Sequence, residues 1–457
     1  MERRFEVRRD ELLAECEVDS AVFLDVIERL ERFMEPFICH LVRSEQVEHA
    51  STYVRGLLSD VKRKNVESIA YRHDQVRIGL QRFIGFASWD DAPLREELAR
   101  QVGQQLGEAD GVIVFDPSSF PKKGNASVGV QRQWSGRLGK VDNCQIGVYM
   151  GYVSSQEQAL VDMRLYLPKE WAKDKTRRQK AGVPKEIRYR TRHELCLQML
   201  AEKGTLLPHQ WIAGDDELGR PYHFRRDLQE LGETYLLAIP SNTLIRDIDT
   251  APPPYSGKGH PPKRPWQQVQ VWRETLADND WTQIEVHAGE KGPLTVNIVK
   301  RRVAPRTDQR REAPPETLVV IRRTSEDGTV EHDYYLSNAS PETPLQEFAR
   351  VAKAAHRIEQ CFQRSKSEAG LADYEVRNWK GWHHHQTLSL LATWFIVCEA
   401  RRGKKMDPGH HGPSNPRGDR LHSPRRMCLP PTGTSRPGTN TTPPAKSTCQ
   451  VLSLETT

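Results

Sequence analysis

Between residues 111 and 240 short apolar runs alternate with amphipathic ones in an order that few folds accommodate. "GVIVFD" (111–116), "CQIGVYMGYVSS" (144–155) and "ALVDMRLYLP" (159–168) read as strands, the last two joined by a short polar turn. Helix-spaced "HELCLQMLAEKG" follows, then strand "QWIAGD", helix "GRPYHFRRDLQELG" and strand "TYLLAIP". Three strands able to form a meander, then strands separated by helices, predict an α/β fold: a mixed sheet covered by helices.

The flanking regions have different characters. Residues 1–108 read as an N-terminal α-helical region, with "ELLAECEVDSAVFLDVIERLERFMEPFI" and "APLREELARQVGQQLG" both spaced for helices. The sheet pattern of 109–240 stops at Pro-rich "TAPPPYSGKGHPPKRPW", and 241–342 reads as a β-rich insertion carrying "LTVNIVKRR", "TLVVIRRT" and "HDYYLS". Helix resumes over 343–402 in "PLQEFARVAKAAHRIEQCFQRSKSEAGL" and "HQTLSLLATWFIVCEA". From 403 to 457 the chain is dense in Pro, Gly, Ser, Thr and Arg without apolar periodicity, which predicts a disordered tail and is what a shifted reading frame would produce.

Two apolar strands end in acid, at Asp116 and at Asp215–Asp216. A strand-terminal Asp is commonly a turn former or a helix cap. The carboxyl ends of strands are also where open sheets build their sites. Glu359 lies beside the apolar stripe Val351, Ala354, Ala355, Ile358 and Phe362, with Gln363 and Lys366 close to it on the adjoining face. Most such glutamates are simply solvated. Three carboxylates held together repel, a pair about 4 Å apart by roughly 4 kcal/mol at an effective dielectric near 20, unless a cation joins them. Hard oxygen donors suit Mg²⁺ or Mn²⁺, and two such ions about 3.5–4 Å apart assist phosphodiester displacement.

"FDPSSFPKKG" (115–124), "VGVQRQWSGRLGKVDNCQIGVYMGY" (128–152), "YLPKEW" (166–171), "GDDELG" (214–219) and "RIEQCFQRSKSEAGLADYEVRNWKGWHHHQTLSLLA" (357–392) together resemble an insertion-sequence transposase of the DDE superfamily, over roughly residues 20 to 400. That resemblance implies a ribonuclease H-like core interrupted by the β-rich insertion. It makes Asp116, Asp215 and Glu359 the ligands of two Mg²⁺ ions, with Mn²⁺ as a substitute, and Lys366 the basic residue seven positions after the Glu. Asp216 remains the alternative to Asp215. The implied reaction is nicking at element ends followed by attack of the freed 3′-hydroxyl on target DNA. The implied partners are terminal inverted repeats, contacted by the N-terminal region, target DNA, and a second copy of the chain on paired ends. The rival reading is a catalytically inactive, transposase-derived DNA-binding protein.

A net charge of +6 is modest for 457 residues, so the clusters matter more than the total. "PKEWAKDKTRRQKAGVPKEIRYRTRH" (168–193) holds ten Lys or Arg against Glu170, Asp174 and Glu186, which predicts a loop over the DNA backbone through Lys175, Arg177, Arg178 and Lys180. Arg301 and Arg302 in the insertion, and Lys122 and Lys123 just after Asp116, are the other expected phosphate contacts. "HHH" at 383–385 is not read as a zinc site, because adjacent histidines on a helix point apart and no partner has ligand spacing. The eight cysteines are scattered, no run of eighteen apolar residues occurs, and "MERRFEVRRDELL" lacks the apolar centre of a signal. These features predict a cytoplasmic protein with no membrane partner, and the transposase resemblance implies a prokaryotic one, associated with the nucleoid when on DNA.

Overall fold

The computed structural model describes residues 24–255, 257, 259–260, 262–286, 294–324 and 328–406. Most of the predicted tail, 407–457, lies outside the described residues, as do residues 1–23 at the start of the helical region. Residues 403–406, placed in the tail by composition, continue the last helix instead.

Five helices open the described chain: α1 (Val26–Ile38), α2 (Ser44–Leu57), α3 (Val66–Arg72), α4 (Arg77–Gly85) and α5 (Ala92–Leu106). On α1 the buried residues Val26, Leu30, Met34 and Phe37 recur every three or four positions, so one stripe faces inward. Helix α3 starts where the Asn65 side chain accepts from the Ser68 amide at 2.9 Å.

The sheet follows, with β1 (Val112–Pro121), β2 (Gln131–Ser135), β3 (Lys140–Val153) and β4 (Gln158–Leu165). Short helices α6 (Lys169–Lys173) and α7 (Lys175–Lys180) occupy the segment expected to be a loop, ahead of α8 (Arg192–Lys203). Next come β5 (Trp211–Gly214), α9 (Asp216–Gly219), α10 (Tyr222–Glu230) and β6 (Tyr235–Ala238). Strand β3 runs antiparallel to β1, and both β2 and β4 pair with β3, end to end on its far side. On the other side β1 is parallel to β5, and β5 to β6. The resulting order β4-β3-β1-β5-β6, antiparallel then parallel, is the ribonuclease H-like arrangement. The parallel strands are buried on both faces, which is why "GVIVF" and "WIAG" are continuously apolar.

The insertion does not form a sheet of its own. Its strands β7 (Leu244–Asp247), β8 (Gln267–Gln268), β9 (Thr282–Val286), β10 (Leu294–Pro305), β11 (Glu316–Thr324) and β12 (Val330–Ser337), with helix α11 (Val269–Arg273) after β8, extend the core sheet outward from β6. The junction is β12 antiparallel to β6, with Leu336 opposite Leu237. Alternation along β10 and β11 serves two layers: Ile298, Val319 and Ile321 join the main core, while Val299, Leu318 and Val320 join a second cluster around Trp272.

Two long helices close the fold. Helix α12 (Leu345–Glu368) lies across the sheet, burying Phe348, Val351, Ile358, Cys361 and Phe362. Gly151 in β3 makes room for it, because a Cβ there would stand 2.3 Å from the Ile358 side chain. Helix α13 (Trp379–Met406) packs on β4 and on α2, α4 and α5, so one hydrophobic core runs from Val26 to Val397. The three histidines of α13 bond within this core. Those at 384 and 385 engage the Ile84 and Trp89 carbonyls, and the Tyr53 hydroxyl and Gly370 carbonyl, respectively. No helix among the described residues is long and apolar enough to cross a membrane.

Candidate active site

Register decides where the acids meet. Phe115 of β1 stands opposite Gly214 of β5, and each is followed directly by an aspartate. Since adjacent strands lie about 4.8 Å apart, Asp116 and Asp215 emerge side by side where the parallel pairing stops. Asp215 directly follows β5, but β1 does not end at Asp116 as its sequence predicted: paired with β3, it runs on to Pro121. Both line a cavity of ≈ 1170 Å³, together with Ser118, Asp216, Glu359, Gln363 and Lys366.

Asp215 caps α9, its Oδ1 accepting from the Leu218 amide at 3.1 Å, so the cap and the site use the same residue. Asp216 points outward beside Arg220 with an exposed side chain. Two glycines hold the turn: a Cβ on Gly219 would meet the Ala238 carbonyl oxygen at 1.9 Å, and one on Gly214 would press on Leu218 and Leu237. The "GDDELG" stretch is thus pinned against β6 by backbone contact. Arg225 of α10 secures it by donating to the Gly219 carbonyl, while its guanidinium pairs with buried Glu316 of β11 at 2.9 Å.

Burial, then the charge of Glu359, raise the Asp116 carboxyl to about 7, against the opposing pull of Lys366. Asp215 is pushed well above the ordinary carboxylate range by burial first and by Asp116 second. Glu359 behaves oppositely: its hydrogen bond with His356, one turn earlier at 3.4 Å, lowers its pKa. Lys366 donates to the Ser118 hydroxyl at 2.8 Å, which ties α12 to the strand bearing Asp116.

Mutually repelling, half-buried carboxylates fit a hard divalent cation in charge and donor type. Among the described residues, however, no three Asp, Glu, His or Cys side chains stand close enough to enclose one ion. Glu359 shares the cavity with the aspartates but engages His356.

Of the expected phosphate contacts, several serve the chain itself. Arg177 stacks 3.9 Å over Trp171 and donates to the Asn125 carbonyl at 2.9 Å. Arg178 donates to the carbonyls of Ala172, Pro184 and Ile187. Lys122 lies 3.6 Å over the Tyr374 ring, with burial lowering its pKa to about 8. Arg301 faces Asp247 at 3.6 Å. Lys123, Lys175, Lys180 and Arg302 are exposed, as are Lys173 and Lys185 nearby. The anchored arginines shape the basic segment, and the lysines around them stay exposed.

Sequence reasoning missed the insertion's share of the cavity. Arg323 of β11, and Asp333 and Tyr335 of β12, line it with Lys353 and His356 of α12. Arg323 pairs with Asp333 at 2.8 Å. The available signal was the period of two in "HDYYLS", which puts Asp333 and Tyr335 on one face. That period says nothing about what the face would meet.

Residues 36–293 match the family described as DDE superfamily endonuclease. The probable transposase for insertion sequence element IS701 of Microchaete diplosiphon is 26% identical over 352 residues, 75% of this chain and 79% of that one. Among solved structures, the piggyBac transposase synaptic complex with hairpin DNA aligns over 84% of this chain and 74% of that chain, at 9% identity and a TM-score of 0.38. The family match takes in Asp116 and Asp215 and more than half of the sequence, and Glu359 lies beyond it. This chain belongs to the DDE superfamily endonucleases.

Proposed function

We propose that this endonuclease-family protein is a transposase that cuts DNA at the ends of an insertion sequence and joins the freed 3′ ends to target DNA. The observation that carries the proposal is the pair of aspartates made adjacent by the β1–β5 register, lining one cavity with Glu359 and Lys366. Asp116 and Asp215 would hold divalent cations, with Glu359 joining them once its carboxylate leaves His356. Bound cations of this kind lower the pKa of an attacking hydroxyl and neutralise the leaving oxygen. In the first step a water oxygen bonds to phosphorus and the 3′ oxygen of the element end leaves, taking a proton. In the second, that 3′ oxygen bonds to a target phosphorus and a target 3′ oxygen departs. Lys366, held on Ser118, sits to contact a phosphate oxygen.

Incubating the purified protein with labelled duplexes of the inverted repeats flanking its gene, plus supercoiled target, tests this reading. Mg²⁺ should yield 3′-hydroxyl-ended cuts and joined products, and EDTA should yield neither. Cutting without joining would reduce the protein to a nuclease, and DNA binding without cutting would make it a binding protein.

The acid pair also predicts a pH dependence. An Asp116 carboxyl raised to about 7 keeps its proton in the folded state where the unfolded chain, at its ordinary 3.8, has lost it. The Asp116 contribution to metal-free stability, read as the difference between wild type and Asp116→Asn, should therefore fall as pH rises from about 4 to about 7 and then level off. Protons compete with cations over the same range, so the rise in Tm given by Mn²⁺ should be small at pH 5.5 and largest above pH 7.5. A Mn²⁺ shift independent of pH would contradict the assignment of Asp116.

The exposed cations carry a further prediction. Reversing Lys173, Lys175, Lys180 and Lys185 to Glu should weaken binding to all DNA sequences alike and flatten the slope of log K against log salt, by about 0.9 for each phosphate no longer neutralised. An unchanged slope would show that this face does not meet DNA.

A further inference from the structure

The hairpin of β2 and β3, whose turn residue Gly136 lines the cavity, leaves apolar surface that the packing does not use. Trp134 is 55% exposed, Val141 51% and Leu138 39%. Trp134 and Val141 stand directly opposite each other in the ladder, so their side chains share one face. Arg132, two residues before Trp134 on the same strand, is exposed on that face, whereas Lys140 stands opposite Ser135 on the other face and pairs with Asp142 at 3.2 Å. The opposite face is anchored: buried Ser135 bonds the Ser119 hydroxyl at 2.7 Å, and the Gln133 amide donates to the Cys144 carbonyl at 2.9 Å. Ser119 lies three residues past Asp116, and Gly136, at the hairpin turn, lines the cavity itself. A rigid root thus carries an outward indole with Arg132 beside it, two residues from Gly136 of the cavity wall.

We infer that Trp134 stacks on a base next to the phosphate cut in the cavity, opening the duplex there. The inference rests on the nuclease reading above. Exposed aromatic rings among cations suit nucleic acid, because every base offers a π-face whatever its identity, and stacking contributes about 1–3 kcal/mol per base. A duplex whose phosphate reaches a recessed pair of carboxylates must also be distorted, and apolar wedges between base steps are a known means of doing so. Arg132, on the same face as the indole, matches the charge of the backbone.

Two measurements on the full chain test it. Permanganate, which attacks thymines whose faces are uncovered, is applied to end duplexes bound in EDTA, where no cutting occurs. Wild-type protein should create a reactive thymine at the end, W134F should retain it, and W134A should lose it. In Mg²⁺, W134A should cut intact duplex about 5- to 150-fold more slowly, the span of the stacking energy above. It should cut a duplex mismatched beside the cleavage site nearly as fast as wild type. Equal reactivity with W134A, or equal slowing on both duplexes, would overturn the inference. If wild type cuts neither duplex the nuclease reading fails, and the permanganate result still decides whether Trp134 opens DNA.

Discussion

Replacing Asp116 with Asn, Asp215 with Asn or Glu359 with Gln should each slow DNA cleavage by about a thousandfold or more, with DNA affinity changed less than about threefold. The loss corresponds to several kcal/mol of transition-state stabilisation, the scale of removing a cation's ligand. The exposed lysines that would carry affinity are untouched by these changes. An ordinary destabilised variant loses stability with activity, whereas Asp116→Asn should gain it. The native carboxyl is raised to about 7 by burial and Glu359, so at pH 8 its ionised form opposes folding and a neutral amide relieves that opposition. Metal-free Tm at pH 8 should rise, and the Mn²⁺ shift should vanish. Asp216→Asn is the control: its side chain is exposed beside Arg220, and cleavage should stay within about threefold of wild type. Normal cleavage by Asp215→Asn with loss in Asp216→Asn would exchange their roles.

Arg225→Met should cost about 3–5 kcal/mol of stability, read as a lower urea midpoint, because it strands a buried carboxylate. Arg225 is 1% exposed and Glu316 6%, and apart from Arg225 the Glu316 carboxylate accepts from the Tyr235 hydroxyl at 3.1 Å. Burial already raises the Glu316 pKa even with the guanidinium beside it. Without Arg225 the carboxyl can escape its penalty by taking a proton, so the loss should be smaller at pH 5 than at pH 8. Arg225→Met with Glu316→Gln should recover most of it, since the neutral amide can still accept from Tyr235. Arg225 also holds the Gly219 carbonyl, so the single variant should cut DNA more slowly even where it is folded. A urea midpoint indifferent to Arg225→Met would show that the pair does not join the insertion to the core.

Much of the core was legible because its signals are local. The apolar runs leading to Asp116 and Asp215 are strands, since parallel strands buried on both faces must be continuously apolar, but β1 continues past the acid to Pro121 because β3 pairs with that polar segment too. The Glu359 helix followed from its stripe. Strand β2 escaped notice because "QRQWS" has only alternate residues turned inward and is too polar to read as a strand. The segment at 168–193 read as a basic loop because charge hides the short helices α6 and α7, whose stability comes from packing Trp171 rather than from a periodic face.

Residue types and their order along the chain determined that two apolar strand segments would each lead to an aspartate, that a glutamate would sit on the border of a buried helical face, and that an α/β sheet would hold them. Only the tertiary structure decided the register that sets Phe115 against Gly214 and so brings Asp116 beside Asp215. It alone placed the insertion's strands in the same sheet, where Arg323 and Asp333 reach the cavity, and turned Glu359 toward His356. Local propensity acts over a few residues and is written in them. Strand pairing and carboxyl pKa values depend on neighbours distant in sequence, and those exist only once the chain has folded.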